Sequence, residues 1–130
     1  KPFIGICLGM QLLSSYNKDY NLTANEDKGV NHYQKKVQYA HKVNIINDTK
    51  LSNILGSIKE MKVNSRHNYH IVKPNDFVPS AYSEDGIIEA IELPEKRFIM
   101  GVQWHLEVMF KYDDKNIKLL KAFIEECRKG

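Results

Sequence analysis

Cysteine is scarce in this chain: Cys7 and Cys127, at opposite ends and in unlike contexts, are the whole supply. That is not the framework of a small disulfide-stapled secreted domain, and it reads as two free thiols in a reducing, cytoplasmic compartment. Long apolar runs are missing too. No stretch approaches the roughly 20 residues a membrane span needs, and the short apolar start carries no cleavage pattern of a signal peptide. Neither sign of charge dominates, with 19 basic and 16 acidic residues for a formal charge of +3. The lysines are scattered and form no stripe, so neither nucleic acid nor an anionic membrane is expected as a partner. There is no internal repeat and no low-complexity segment. What remains is ordinary globular composition, 42% hydrophobic and 27% charged, in 130 residues, room for one domain.

Along the chain, elements of two kinds alternate. Residues 2–7 predict a strand and residues 9–16 a helix; residues 17–36 are polar and aperiodic, with Gly29 as a turn. Residues 41–46 alternate as a strand does. Asp48 or Thr49 then caps a short helix over 51–55 that Gly56 stops. Residues 60–64 predict a strand running into a loop over 65–70. Three β-type runs follow at 78–83, 87–93 and 97–104, separated by the turn signals Asp85-Gly86 and Pro94-Glu95-Lys96. From Asp113-Asp114 a helix begins, with Ile117, Leu120, Phe123, Ile124 and Cys127 on its apolar face. Lys121, Arg128 and Lys129 suit its C-terminal end, and Gly130 closes it. On this reading Cys127 is a packing residue.

Two stretches carry chemistry. In KPFIGICLGMQLL, a short apolar strand meets a cysteine flanked at Gly5 and Gly9 and then a helix start, the layout of a nucleophile elbow whose flanking positions have no room for a Cβ. The same pattern fits a small buried residue in a strand. In GVQWHLE, strand alternation would put His105 and Glu107 on one side, giving a ring base and a carboxylate that fixes its tautomer. A surface ion pair has the same spacing. His67 and His70 could join His105 and Glu107 as metal ligands, but that HxxH pair falls in a loop with no helix to align it, so no metal and no cofactor are expected.

Gly5-Ile6-Cys7-Leu8-Gly9-Met10-Gln11 together with Gln103-Trp104-His105-Leu106-Glu107 resembles the class I glutamine amidotransferase superfamily, with its G-x-C-x-G elbow and distant H-P-E segment. Val63-Asn64-Ser65-Arg66-His67 and the run from Asp85 to Glu92, DGIIEAIE, resemble its γ-glutamyl hydrolase branch, the C26 peptidases. Four motifs in order cover almost the whole chain. The resemblance implies an α/β fold, a flavodoxin-like mostly parallel sheet with helices on both faces and added antiparallel strands. It implies Cys7 as nucleophile, His105 as base and Glu107 as its orienting partner. The backbone N–H of Leu8, in the elbow between Gly5 and Gly9, would donate to the oxyanion. Gln11, Asn64, Ser65, Arg66 and His67 would line the glutamyl pocket.

The sequence departs from the family pattern twice. Leu106 stands where the family usually has proline, and the family's domain runs to roughly twice this length, its first half preceding the nucleophile strand. Residues 1–130 therefore read as a single, partial domain lacking its N-terminal half. The expected reaction is hydrolysis of a γ-glutamyl amide, a small-molecule substrate, through a γ-glutamyl thioester. Two alternatives stay open: a glutaminase unit passing ammonia to a synthase partner, and an inactive binding module. The strand at 2–7, without its neighbours, is expected to favour self-association.

Overall fold

The computed structural model describes residues 1–15 and 21–129. Tyr16, residues 17–20 of the polar excursion and Gly130 lie outside the described residues. Strand β1 (Phe3–Ile6) turns into α1 (Leu8–Ser14); β2 (Leu22–Ala24), β3 (Tyr33–Gln34) and β4 (His41–Ile45) follow, then α2 (Lys50–Ile54). Next come β5 (Glu60–Val63), β6 (Ser65–Arg66), β7 (Tyr69–Ile71), β8 (Val78–Ser83), β9 (Ile88–Glu92) and β10 (Ile99–Val102), and finally α3 (Leu106–Met109) and α4 (Asp114–Arg128).

Six strands form one mixed sheet in the order β1-β10-β9-β8-β4-β5. The parallel pairing is β1 against β10, Phe3 opposite Ile99 and Ile6 opposite Val102; β10–β9, β9–β8, β8–β4 and β4–β5 are all antiparallel. The α/β class with helices on both faces is as the resemblance implied, and the antiparallel additions make up most of the sheet in this chain. On one face α1 packs Met10 against Ile71, Ile88 and Ile91. On the other, Val43, Leu51, Met100, Val102, Trp104 and Leu119 form the larger core with α2, α3 and α4.

Local chemistry explains several of these boundaries. Gly86, at φ +87, closes the β8–β9 hairpin, with the Ser83 N–H donating to Ile87 O at 2.9 Å. Thr49 caps α2, its hydroxyl oxygen accepting from Ser52 N–H. The same helix end is capped again by Glu92, whose two carboxylate oxygens accept from Lys50 N–H at 2.8 Å and Leu51 N–H at 3.2 Å. A carboxylate buried in β9 is thus neutralised by a helix N-terminus. At the other end of the sheet, α1 lies very close to β1. A Cβ on Gly5 would stand 2.7 Å from the backbone C and O of Gly9, and one on Gly101 would meet Met10 at the same distance. Gly9 is different, since a Cβ there would meet nothing within 4 Å. The expected crowding on both sides of the cysteine is therefore confined to Gly5, which lies beneath the helix, while Gly9 faces outward.

The structure corrects three readings of the sequence. Residues 65–70 are not simply a loop: they contribute β6 and the start of β7, which pair with β3 and β2 from the polar excursion. The last strand stops at Val102, so His105 and Glu107 are not strand neighbours. Cys127 is exposed; α4 buries Asn116 and Leu119 with Leu120 and Phe123 alongside, and Ile124 is 42% exposed. Helical spacing defines a stripe, but not how far along it the partner elements reach. Apart from these corrections, β1 is an edge strand with no second neighbour among the described residues. Phe3 and Leu12 are exposed beside it, and with Leu13, Phe77, Leu93 and Ile99 they line an open apolar shelf. Among the described residues no helix is long and apolar enough to cross a membrane.

Candidate active site

Cys7 is where β1 becomes α1. Its N–H continues the sheet by donating to Val102 O at 2.8 Å, while its C=O accepts the first helical bond, from Gln11 N–H at 3.1 Å. Meeting both demands in one residue forces φ 51, ψ −106 on a non-glycine, a conformation that costs on the order of 1–3 kcal/mol and is held by its surroundings. The helix begins immediately at Leu8, whose N–H belongs to the first turn and has no carbonyl of the helix to donate to. A thiol on a strained turn, beside open backbone donors and a helix N-terminus, is the geometry of a nucleophile elbow.

His105 reaches the same place from the other chain end. It is the N-cap of α3 at φ −90, ψ 80, and Glu107 is in the first turn of that helix. The expected pairing of the two side chains is present, His105 Nδ1 to Glu107 Oε2 at 2.7 Å, but a helix start produces it and strand alternation does not. Leu106 occupies the first helical position, which has no N–H partner to lose and so accommodates proline or leucine alike. Here the leucine is buried in the larger core. A hydrogen bond to the Cys7 sulfur raises the His105 imidazole, burial lowers it and Glu107 raises it again, leaving it raised to about 9. With Nδ1 committed to Glu107, Nε2 is the nitrogen left for the thiol.

The remaining predicted site residues fall into two groups. Asn64 is buried and grips the His105 backbone from both sides: its Oδ1 accepts from His105 N–H at 2.8 Å and its Nδ2 donates to His105 O at 3.3 Å. Gln11 donates to Tyr69 O at 3.0 Å and to Gln103 Oε1 at 3.2 Å. Ser65 is buried, with its hydroxyl donating to His32 O at 2.8 Å. Arg66 is half-buried on β6, and His67 is turned inward toward Glu89. Gln103 went unremarked as a site residue in the sequence. It is fully buried, its Nε2 lies 3.5 Å from Cys7 Sγ, and its N–H donates to Glu89 O at 2.7 Å. A polar side chain in the apolar run Met100 to Trp104 was the available signal.

The fold and this pairing define a class I glutamine amidotransferase-type α/β domain. The peptidase C26 sequence profile matches residues 1–107, and the chain belongs to that family. A glutamine amidotransferase-like protein of Rickettsia prowazekii is 39% identical over 102 residues, covering 76% of this chain and 36% of its own length. The glutamine-hydrolysing subunit of the GMP synthase of Sulfolobus acidocaldarius is 35% identical over 98% of this chain and 61% of its own. Among solved structures, the glutaminase domain of Trypanosoma brucei CTP synthase with bound acivicin superposes with a TM-score of 0.70 at 18% identity, covering 95% of this chain and 60% of that one. The corresponding GMP synthase subunit of Thermoplasma acidophilum gives 0.63 at 23%, covering 99% and 61%. This chain thus spans about half the length of the curated relatives it matches.

Proposed function

We propose that Cys7, His105 and Glu107 act as a triad that hydrolyses a γ-glutamyl amide. The observation that carries this reading is the His105–Glu107 pair, Nδ1 to Oε2 at 2.7 Å, set beside a cysteine on a strained strand-to-helix turn at φ 51, ψ −106, with the imidazole's proton affinity raised to about 9 by Cys7 and Glu107 against the lowering by burial. In the reaction, Cys7 Sγ attacks the γ-carbonyl carbon, and the oxygen takes up negative charge against the Leu8 N–H. The tetrahedral adduct collapses as His105 gives its proton to the leaving nitrogen, releasing ammonia or an amine and leaving a γ-glutamyl thioester. Water then attacks the thioester, His105 takes its proton, and glutamate leaves with the thiol restored. Asn64 holds the His105 backbone, and Gln103 supports the thiol from beneath. The side chains of Gln11, Ser65 and His67 are engaged internally, so they contribute shape to a glutamyl pocket.

A second reading has a specific observation behind it, the 35% identity over nearly the whole chain to a glutamine-hydrolysing GMP synthase subunit. On that reading the same chemistry runs on glutamine and the ammonia passes to a synthase partner. The test uses the full-length protein with glutamine and with γ-glutamyl amines, with and without a candidate synthase, reading ammonia, amine and glutamate release. Amine release without any partner supports the hydrolase; glutaminase activity that appears only with the synthase supports the second reading. A glutamine-like electrophile such as acivicin should label Cys7 first by peptide mapping, although Cys127 is exposed. An unlabelled Cys7 and no turnover on either substrate would leave a binding module.

A further inference from the structure

A second cluster of histidine and glutamate lies away from the thiol. His32, His67 and Glu89 are 4%, 4% and 0% exposed, and the His41 side chain is 8% exposed. All four turn polar atoms toward one point. Glu89 Oε2 is 3.4 Å from His32 Nδ1, 3.5 Å from His67 Nε2 and 4.0 Å from His41 Nε2. These five atoms, the three ring nitrogens and both Glu89 oxygens, have no hydrogen-bond partner although they are buried. An unpartnered buried carboxylate or imidazole is costly, and five such atoms facing one another call for a common partner.

The outer nitrogens identify the kind of partner. His67 Nδ1 is 2.9 Å from Tyr69 O, and His41 Nδ1 is 3.0 Å from Lys42 O. A carbonyl oxygen can only accept, so these contacts place a proton on each of the two nitrogens; the Asn25 amide, 3.3 Å from His67 Nδ1, has its nearer acceptor in His67 O at 3.0 Å. His32 Nε2 lies 2.7 Å from the buried Asp85 Oδ2, which Ser83 also engages through its hydroxyl. With a proton on the outer nitrogen, each inner nitrogen presents a lone pair to the Glu89 carboxylate. Lone pairs converging on a carboxylate repel unless a cation lies between them. At His32, whose proton affinity is lowered by burial but raised overall by Glu89 and Asp85, the cation takes the place of a second proton. The outer partners are also those that zinc-binding histidines use, a carboxylate or a backbone carbonyl on the second nitrogen. Ligand bonds of about 2.0–2.1 Å at a tetrahedral ion put neighbouring donors about 3.4 Å apart, the spacing seen from Glu89 to His32 and His67.

We propose that His32, His41 and Glu89, with His67 as the fourth donor, bind one divalent transition-metal ion of the zinc type. The donor atoms of the first three lie within 4.8 Å of one another, and small side-chain rotations close them on an ion. Four protein donors in a buried site leave no open position for substrate, so the ion is structural. It joins four segments that the sequence keeps apart: the turn before β3, the start of β4, the β6–β7 connection and β9. Two of those segments lead to the candidate active site, through Tyr69 O, which holds Gln11, and through Glu89 O, which holds Gln103.

The test begins with the full-length protein expressed with added zinc, its metal content measured by plasma mass spectrometry and its zinc affinity by competition with a chromophoric chelator. About one zinc per chain is expected, with a melting temperature that falls on chelation and recovers on adding zinc back. Cobalt in its place should give the visible bands of a tetrahedral site. Glu89→Gln and His41→Gln should lose the ion, and Asp85→Asn should weaken zinc binding about 10–100-fold. Cys7→Ser should keep it. A different divalent transition ion bound one per chain and lost in Glu89→Gln also supports the site. A wild-type protein that is metal-free and whose melting temperature ignores both zinc and chelator overturns the proposal; its cluster would then be held by protons. Zinc lost in Cys7→Ser, or kept in a folded Glu89→Gln, overturns it equally. Should Glu89→Gln not fold, wild-type stoichiometry, the cobalt spectrum and Asp85→Asn still decide.

Discussion

His105 with Glu107, and His32, His41 and His67 with Glu89, are the same two residue types in opposite settings. The first pair is partly exposed, its ring held by Glu107 through Nδ1 and its carboxylate 50% open to solvent. The second is buried, and its inward atoms face one another without a hydrogen bond. Histidine beside glutamate therefore has no fixed meaning. Access and proton placement decide whether it moves protons or holds the chain together. Changes on the open side should cost activity and spare stability, and changes on the buried side should do the reverse.

The sharpest break of this contrast comes from Cys7→Ser and His105→Ala. Each should lower kcat on the order of 10⁴–10⁶-fold in a protein that still folds. Wild-type-like turnover in His105→Ala would remove the triad altogether. The two glutamates set the next comparison. Glu89→Gln should destabilise the protein by about 3–5 kcal/mol, as removing one member of a buried charged group does, seen as a lower denaturant midpoint. Glu107→Gln should change stability by less than about 0.5 kcal/mol but reduce kcat about 10²–10³-fold, within the range of a positioned acid–base group.

Glu107→Gln also has a pH signature. The His105 pKa is raised from 6.5 to about 9, so the stability and the proton it supplies are fully present below pH 6.5 and lost as pH rises through about 9. Turnover should therefore fall above about pH 9, and in Glu107→Gln that fall should move to lower pH. An unmoved alkaline limb would assign the raised affinity to Cys7 alone.

Smaller effects sharpen the boundary between the two settings. Asn64→Ala strands the His105 N–H and should cost about 1–3 kcal/mol, with kcat falling more than KM rises because the base loses its position and the substrate keeps its contacts. A KM effect alone would move Asn64 back to the pocket wall. Leu106→Pro should be mildest. The first helical position accepts proline, His105 is already outside the helical region at φ −90, ψ 80, and only apolar packing is lost, so kcat should stay within about tenfold. A large loss would mean that Leu106 packing positions His105.

The sequence made local features readable and left tertiary ones hidden. The hairpin at Asp85-Gly86, the Thr49 cap and the elbow at Cys7 each depend on a few adjacent residues, and each is present. His105 and Glu107 were read as a pair for the wrong reason, because spacing i, i+2 puts two side chains together in a strand and also at a helix N-terminus. The small strands β2 and β3 were unreadable, since two- and three-residue segments have no periodicity and their partners lie more than 30 residues on. The histidine cluster was hidden for the same reason. His67 was considered beside His70, its neighbour in sequence, yet His70 turns to Asn25, and the companions of His67 come from three distant segments.

Gly5 has a consequence for descent as well as for shape. A serine codon at position 7 would leave every backbone contact of the elbow in place and remove only the reactivity. An alanine codon at position 5 would drive a methyl into the Gly9 carbonyl, where no side chain can move aside. A lineage could thus abandon the chemistry in one step and keep the molecule, as happens when enzymes turn into binding proteins. It could not so simply alter the turn and keep the chemistry. The nucleophile is the more replaceable of the two residues, and the hydrogen atom two positions before it is the more exacting inheritance.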